Sequence, residues 1–118
     1  MNKYQELKIW NKAMKLVEQV YSLTKLLPDE EKFGLIAQIK RSSVSIPSNI
    51  AEGAGRNSSK EFVRFLSIAN GSTTELETQL ILITRLKFVA KGKIKEILEL
   101  CAELKKMNYA LQRSIEKT

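Results

Sequence analysis

Two sets of residues are spaced so that they could act together, and each suggests a different chemistry. Arg41, Ser45, Ser48 and Glu52 recur at intervals of three and four, which puts them along one face of a helix with Asn49 and Arg56 beside them. Such a row could hold an anion or a partner. It could equally be a buried polar network, in which Glu52 or Glu75 pairs with Arg41 or Arg56 and sets helix register or subunit geometry. The second reading is preferred, because buried polar groups must be paired whatever else they do.

Lys87, Lys91, Lys93 and Lys95 form the other set, with no acid among them before Glu96. A cluster of this kind attracts phosphates. Lys40, Lys60 and Arg64 add basic character elsewhere, and the net charge of +7 points the same way. The bland alternative is a solvated lysine-rich loop. Trp10, Phe62 and Phe65 fall on apolar stripes, where they cannot stack bases, so RNA or DNA binding is expected without sequence readout.

Other chemistries find little support. The chain has no histidine and one cysteine, Cys101, on an apolar stripe, which removes the usual triads, zinc sites and internal disulfides. Glu75 and Glu77 are two apart on a helix and face different ways, a poor acid/base pair. Gly53-Ala-Gly-Arg56 lacks the length and the preceding strand of a phosphate loop. Asn57-Ser-Ser59 and Asn70-Gly-Ser72 match the glycosylation pattern only formally. The expectation is a protein without catalytic residues, cofactor or metal.

The elements that must carry these residues are helices. At 118 residues, 43% hydrophobic and 28% charged, the chain suits a single globular domain over 1–118. It has no run long enough to span a bilayer, and Lys3, Glu6 and Lys8 interrupt any signal-like stretch, so the cytoplasm is the expected compartment. Apolar residues recur at helical spacing throughout. The first helix is expected over about 8–26, ending before Pro28. A second, with Asp29 as its cap, should run over about 29–54, kinked at Pro47, where hydroxyls of Ser43, Ser45 and Ser48 can satisfy freed backbone groups. Turn-rich residues follow from Gly53 to Asn57.

Ser58 and Glu61 have capping-box spacing and start a third helix, read as continuous through Gly71, with that glycine at a close contact. The fourth is expected over about 93–116. The fold class is all-α, an up-and-down four-helix bundle. Between Phe65 and Thr84 the only charges are Glu75 and Glu77, and the turn 80–83 is apolar on every side. A bundle helix needs one apolar stripe, so Ile81 and Leu82 are expected at a subunit interface; otherwise the third helix is simply the most central one of a monomer.

These residues resemble a known family. Leu7, Trp10 and Ala13, then Phe33-Gly-Leu35 with Gln38 and Arg41, then Ser45-Ile-Pro-Ser-Asn-Ile-Ala-Glu-Gly-Ala-Gly-Arg56, then Phe65-Leu-Ser-Ile-Ala69 and Gly71-Ser-Thr-Thr-Glu-Leu-Glu77, are similar to bacterial four-helix-bundle proteins encoded in intervening sequences of 23S ribosomal RNA genes. The resemblance spans nearly the whole chain. It implies a cyclic homo-oligomer, typically a pentamer. One branch of the family serves as accessory protein to the reverse transcriptase of diversity-generating retroelements, contacting that enzyme and nucleic acid. No catalytic residues come with the resemblance.

Overall fold

The structure is a computed structural model that describes residues 3–117; Met1, Asn2 and Thr118 lie outside the described residues. Four helices account for most of it: α1 (Lys8–Thr24), α2 (Leu35–Ala54), α3 (Ser59–Arg85) and α4 (Lys95–Glu116). They run up and down. Each packs on its neighbour in the chain, and α1 closes the bundle against α4, giving a body of 46 × 22 × 20 Å. The α1–α2 and α3–α4 connections therefore share one end, and the α2–α3 turn lies at the other.

Helical periodicity places the core. Ala13, Leu16 and Val20 of α1 meet Ile39, Ile46 and Ile50 of α2, Leu66, Leu76, Leu80 and Ile83 of α3, and Ile97, Cys101 and Leu104 of α4 in one buried cluster. Each helix contributes a single stripe, as a bundle requires. Ion pairs tie the outside, Lys12 to Glu103 between α1 and α4 and Glu77 to Lys105 between α3 and α4.

The second helix departs from expectation at its start. Asp29 does not cap it: residues Asp29–Glu31 form a separate 3-10 turn, and α2 begins at Leu35. The cap is supplied by Glu31, whose Oε1 accepts the Leu35 N–H at 3.2 Å. Further on, α2 runs unbroken through Pro47, whose ring is buried. It ends at Ala54, as expected, and takes in Gly53, the first of the turn-rich residues.

At Gly53 the α2 backbone closely approaches α3. A Cβ there would lie 2.7 Å from Phe65 Cβ and 3.3 Å from the Phe62 carbonyl oxygen. Gly71, expected to mark a close contact, has nothing within 4 Å of a built Cβ and sits on the exposed side of α3. The stripe runs in phase past Gly71 because Ala69 and Thr73, on either side of it, are the buried residues. Ser58 caps α3 as expected, accepting the Glu61 N–H at 3.2 Å.

The α3 C-terminus closes with a pair of turns, Phe88 N–H to Ile83 O at 2.9 Å and Lys87 N–H to Thr84 O at 3.0 Å. That arrangement needs a left-handed residue after the last helical ones, and Lys87 takes the role with φ 65°. Glycine is the residue that adopts this conformation without steric cost. The fourth helix then starts at Lys95 and not Lys93, because residues Lys91–Lys93 form their own 3-10 turn.

Two outcomes test this description. Gly53→Ala should lower stability by about 1–3 kcal/mol, since the new methyl must displace backbone as well as side chain. Lys87→Gly should raise it by about 0.5–1 kcal/mol, the left-handed strain relieved less the extra entropy of an unfolded glycine. Denaturant titration reads both.

Candidate functional site

The polar row of α2 is not a buried network. Arg41, Ser48, Glu52 and Arg56 do not enter the core and Glu75 on α3 is exposed, while Ser45 and Asn49 are half-buried. The core face of α2 is set by Ile39, Ile46 and Ile50, and the row lies to one side of it. Glu52 does pair with Arg56, at 2.8 Å, but both side chains are about half in water and the pair lies at one end of α2. Exposed pairs of this kind are worth less than about 1 kcal/mol. Arg41 and Glu75 enter no ion pair among the described residues.

The polar contacts that do lock α2 to α3 use other residues. Ser42 Oγ donates to Gln79 Oε1 at 2.7 Å, both side chains buried. One turn on, Ser45 and Ser72 hydroxyls share a hydrogen bond of 2.8 Å, and Asn49 Nδ2 donates to the Ser45 carbonyl and hydroxyl at 2.8 and 2.9 Å. Of the expected motif, only Ser45 and Asn49 belong to this seam. Sequence reasoning misses Ser42, Ser72 and Gln79, although Gln79 next to Leu80 on the inward side of a stripe is a signal. A matching contact ties α4 to α3, where buried Asn108 donates to the Leu66 carbonyl at 2.9 Å.

All four candidate lysines are exposed on the α3–α4 connection at one end of the bundle: Lys87 in the left-handed position, Lys91 and Lys93 in the 3-10 turn, Lys95 opening α4. None of the four forms an ion pair among the described residues. Lys91 and Lys95 rim a groove of about 420 Å³ between α3 and α4, with Ile81, Ile94 and Leu98 on its walls and no acid among its lining residues. Lys93 and Lys95 also border a second groove of about 630 Å³ between α1 and α4, where Glu96 offsets them.

The expected interface pair is divided by the helix. Ile81 lines the lysine-rimmed groove, whereas Leu82 joins Ile68, Gly71, Glu75 and Leu86 on an exposed stripe at spacings of three, four and seven. The two adjacent apolar residues, about 100° apart on a helix, are both exposed. A third apolar surface lies between α1 and α2, where Trp10, Met14, Val17, Val44 and Pro47 line a groove of about 380 Å³. Trp10, expected on the core stripe, is only half-buried there, its ring edge-on to Tyr4 at 5.3 Å.

The most exposed aromatic among the described residues is Phe33, at 90%, ahead of Tyr109 at 64%; the sequence suggests no chemical use for its ring. Phe65 is buried as expected, beneath Arg64 and Arg56 at 4.5 and 5.0 Å from its ring. Cys101 is fully buried; desolvation, with Glu77 nearby, pushes its thiol up to about 12, so it stays protonated and unreactive at neutral pH. Among the described residues, no group of three or more potential ligands could hold a metal ion, and no helix is long and apolar enough to cross a membrane.

Known proteins resemble this bundle. A solved structure from Bacteroides thetaiotaomicron, described as a protein of unknown function from the S23 ribosomal protein family, superposes with a TM-score of 0.81 at 28% identity. The match covers 88% of this chain and 97% of that one. No protein of curated function matches. The sequence pattern of the 23S rRNA-intervening sequence proteins matches residues 5–110, nearly the full length of the four helices. The chain belongs to the 23S rRNA-intervening sequence protein family.

Proposed function

We propose that the protein is a non-enzymatic, cytoplasmic homo-oligomer that works as an accessory factor, binding RNA or DNA through its basic end without sequence readout. The observation that carries this reading is the gathering of Lys87, Lys91, Lys93 and Lys95 on one connection, exposed and unneutralised by ion pairs among the described residues. Exposed lysines on turns meet phosphates but offer no fixed donor geometry to base edges. Assembly supplies what one copy lacks, since linked sites raise avidity by about 10²–10⁴ without a new contact.

The exposed α3 stripe of Ile68, Gly71, Leu82 and Leu86, apolar except for Glu75 between them, supports self-association. Gly71 leaves a gap the size of a methyl in that stripe, where a second subunit can approach closely. A ring is built from two different faces of each subunit, and the apolar groove between α1 and α2 is the second face available. Five-membered closure is the form that family resemblance suggests. A bend of α2 at Pro47 would shape the groove wall it lines. A reverse transcriptase is one protein partner consistent with this role. The same apolar stripe favours the alternative, a protein-binding scaffold whose charge serves only solubility.

Light scattering at micromolar concentration should report an oligomer, and Leu82→Glu should dissociate it without unfolding the subunit, because a buried leucine contributes about 1.5–3 kcal/mol. A monomeric native protein overturns the assembly. Retention of RNA or DNA should be strong at low salt and fall steeply as salt rises. Replacing Lys87, Lys91, Lys93 and Lys95 with Gln should flatten the log–log salt slope by about 0.7–0.9 for each phosphate that is no longer neutralised. Absence of retention at low ionic strength leaves the scaffold reading.

A further inference from the structure

Phe33 is held in water by a tightly bonded turn. Glu31 N–H donates to Pro28 O at 2.9 Å, Lys32 N–H to Asp29 O at 3.0 Å and Gly34 N–H to Glu31 O at 3.0 Å, so the backbone on both sides of the ring is tied down. The Glu31 carboxylate closes the turn onto Leu35. The Lys32 ammonium lies 5.6 Å from the ring centroid, close enough to attract a phosphate beside whatever stacks there.

The up-and-down topology puts this ring at the same end of the bundle as the lysines. Ser42 opposite Gln79 and Ser45 opposite Ser72 set an antiparallel register. Carried to the top of α2, that register brings Phe33 roughly level with the turn at 86–88, which contains Lys87. Beyond it lies the α3–α4 groove, with aliphatic walls of Ile81, Ile94 and Leu98 and a rim of Lys91 and Lys95. One end of the bundle thus offers two apolar surfaces, an aromatic ring on a turn that carries Asp29, Glu30 and Glu31 beside Lys32, and an aliphatic groove rimmed by lysines. The acids of this end are Asp29, Glu30, Glu31 and Glu96, fewer than its lysines together with Arg85.

We propose that this end is a single-strand site: the Phe33 ring and the α3–α4 groove each receive an unstacked base while the lysines hold the intervening phosphates. The inference rests on the nucleic-acid reading of the same end and gives it a substrate class. Duplex bases are already stacked and present no free face, so neither apolar surface has anything to take from a duplex except contact with its backbone. A single strand offers both faces of every base, and stacking on an aromatic ring is sequence-tolerant.

The test uses the full chain in its native assembly at low salt, with a labelled single-stranded oligonucleotide of about twenty nucleotides and the same strand annealed to its complement. The single strand should bind about tenfold more tightly or better. Phe33→Ala should cost about tenfold for the single strand and leave duplex affinity, melting and assembly unchanged, with Phe33→Tyr restoring binding. Ile81→Ser should weaken the single strand selectively in the same way. Equal, salt-dependent affinity for both probes overturns the inference while the basic-end reading stands. Failure to bind either probe overturns both. A change of oligomer mass in Phe33→Ala would make the ring a contact to a neighbouring subunit and overturn the inference as well.

Discussion

The arrangement of this bundle depends on the seam between α2 and α3. A purely apolar seam would allow the helices to slide by a turn at little cost, since leucine and isoleucine accept many neighbours. Ser42 with Gln79 and Ser45 with Ser72 remove that freedom. A slipped register would leave Gln79 buried without its partner, at a cost of about 1–3 kcal/mol. Gly53 reinforces the choice from the far end, because the α2 backbone clears Phe62 and Phe65 there only without a Cβ. Among the described residues no buried side-chain polar atom lacks a partner. The seam is satisfied and specific, and it sets the heights at which the loop residues of the basic end lie.

Much of the fold was legible because bundle helices write their packing into a 3.6-residue period. The stripes of all four helices, the Ser58 cap and the continuity of α3 follow directly from it. What escaped was local backbone chemistry. The turn at Asp29–Glu31 carries good helix-cap residues, yet Gly34 interrupts the chain before Leu35 and a longer-range carboxylate does the capping. The close contact falls at Gly53 and not at Gly71 for a related reason: a glycine's use depends on what faces it across the seam, and a single sequence shows spacing on one helix only. Ile81 and Leu82 stand out in the sequence because the turn 80–83 is apolar on every side, and both are exposed on the isolated bundle.

The polar row of α2 shows how residue type can mislead about burial. Arginine and glutamate beside Ser45 and Asn49 suggested one network, but the serines and amides are short enough to pack within the seam while the long charged side chains reach water. Polar specificity in this protein is carried by neutral groups. That is physically economical, since a neutral buried pair avoids the desolvation cost of a buried ion pair. It also leaves Arg41 and Glu75 outside the core and without an ion pair among the described residues, while Glu52 and Arg56 pair with each other in water.

Several departures from ideal folding chemistry lie at the basic end of the bundle. A sequence optimised for stability alone would place glycine at the left-handed position after α3, a polar residue where Phe33 stands in water, and mixed charges along the α3–α4 connection. This chain has Lys87, an exposed aromatic ring and four lysines instead. Such local rules are commonly broken where a surface serves a partner and is not shaped by the core. At the opposite end Ser58 caps α3, Glu61 lies at the positive helix terminus and Arg64 holds the Glu61 carboxyl below its ordinary range, but α1 starts there at Leu7 without a side-chain cap and Tyr109 and Ile68 stand exposed in that half. What sets the basic end apart is therefore its charge, four exposed lysines without an ion pair among the described residues.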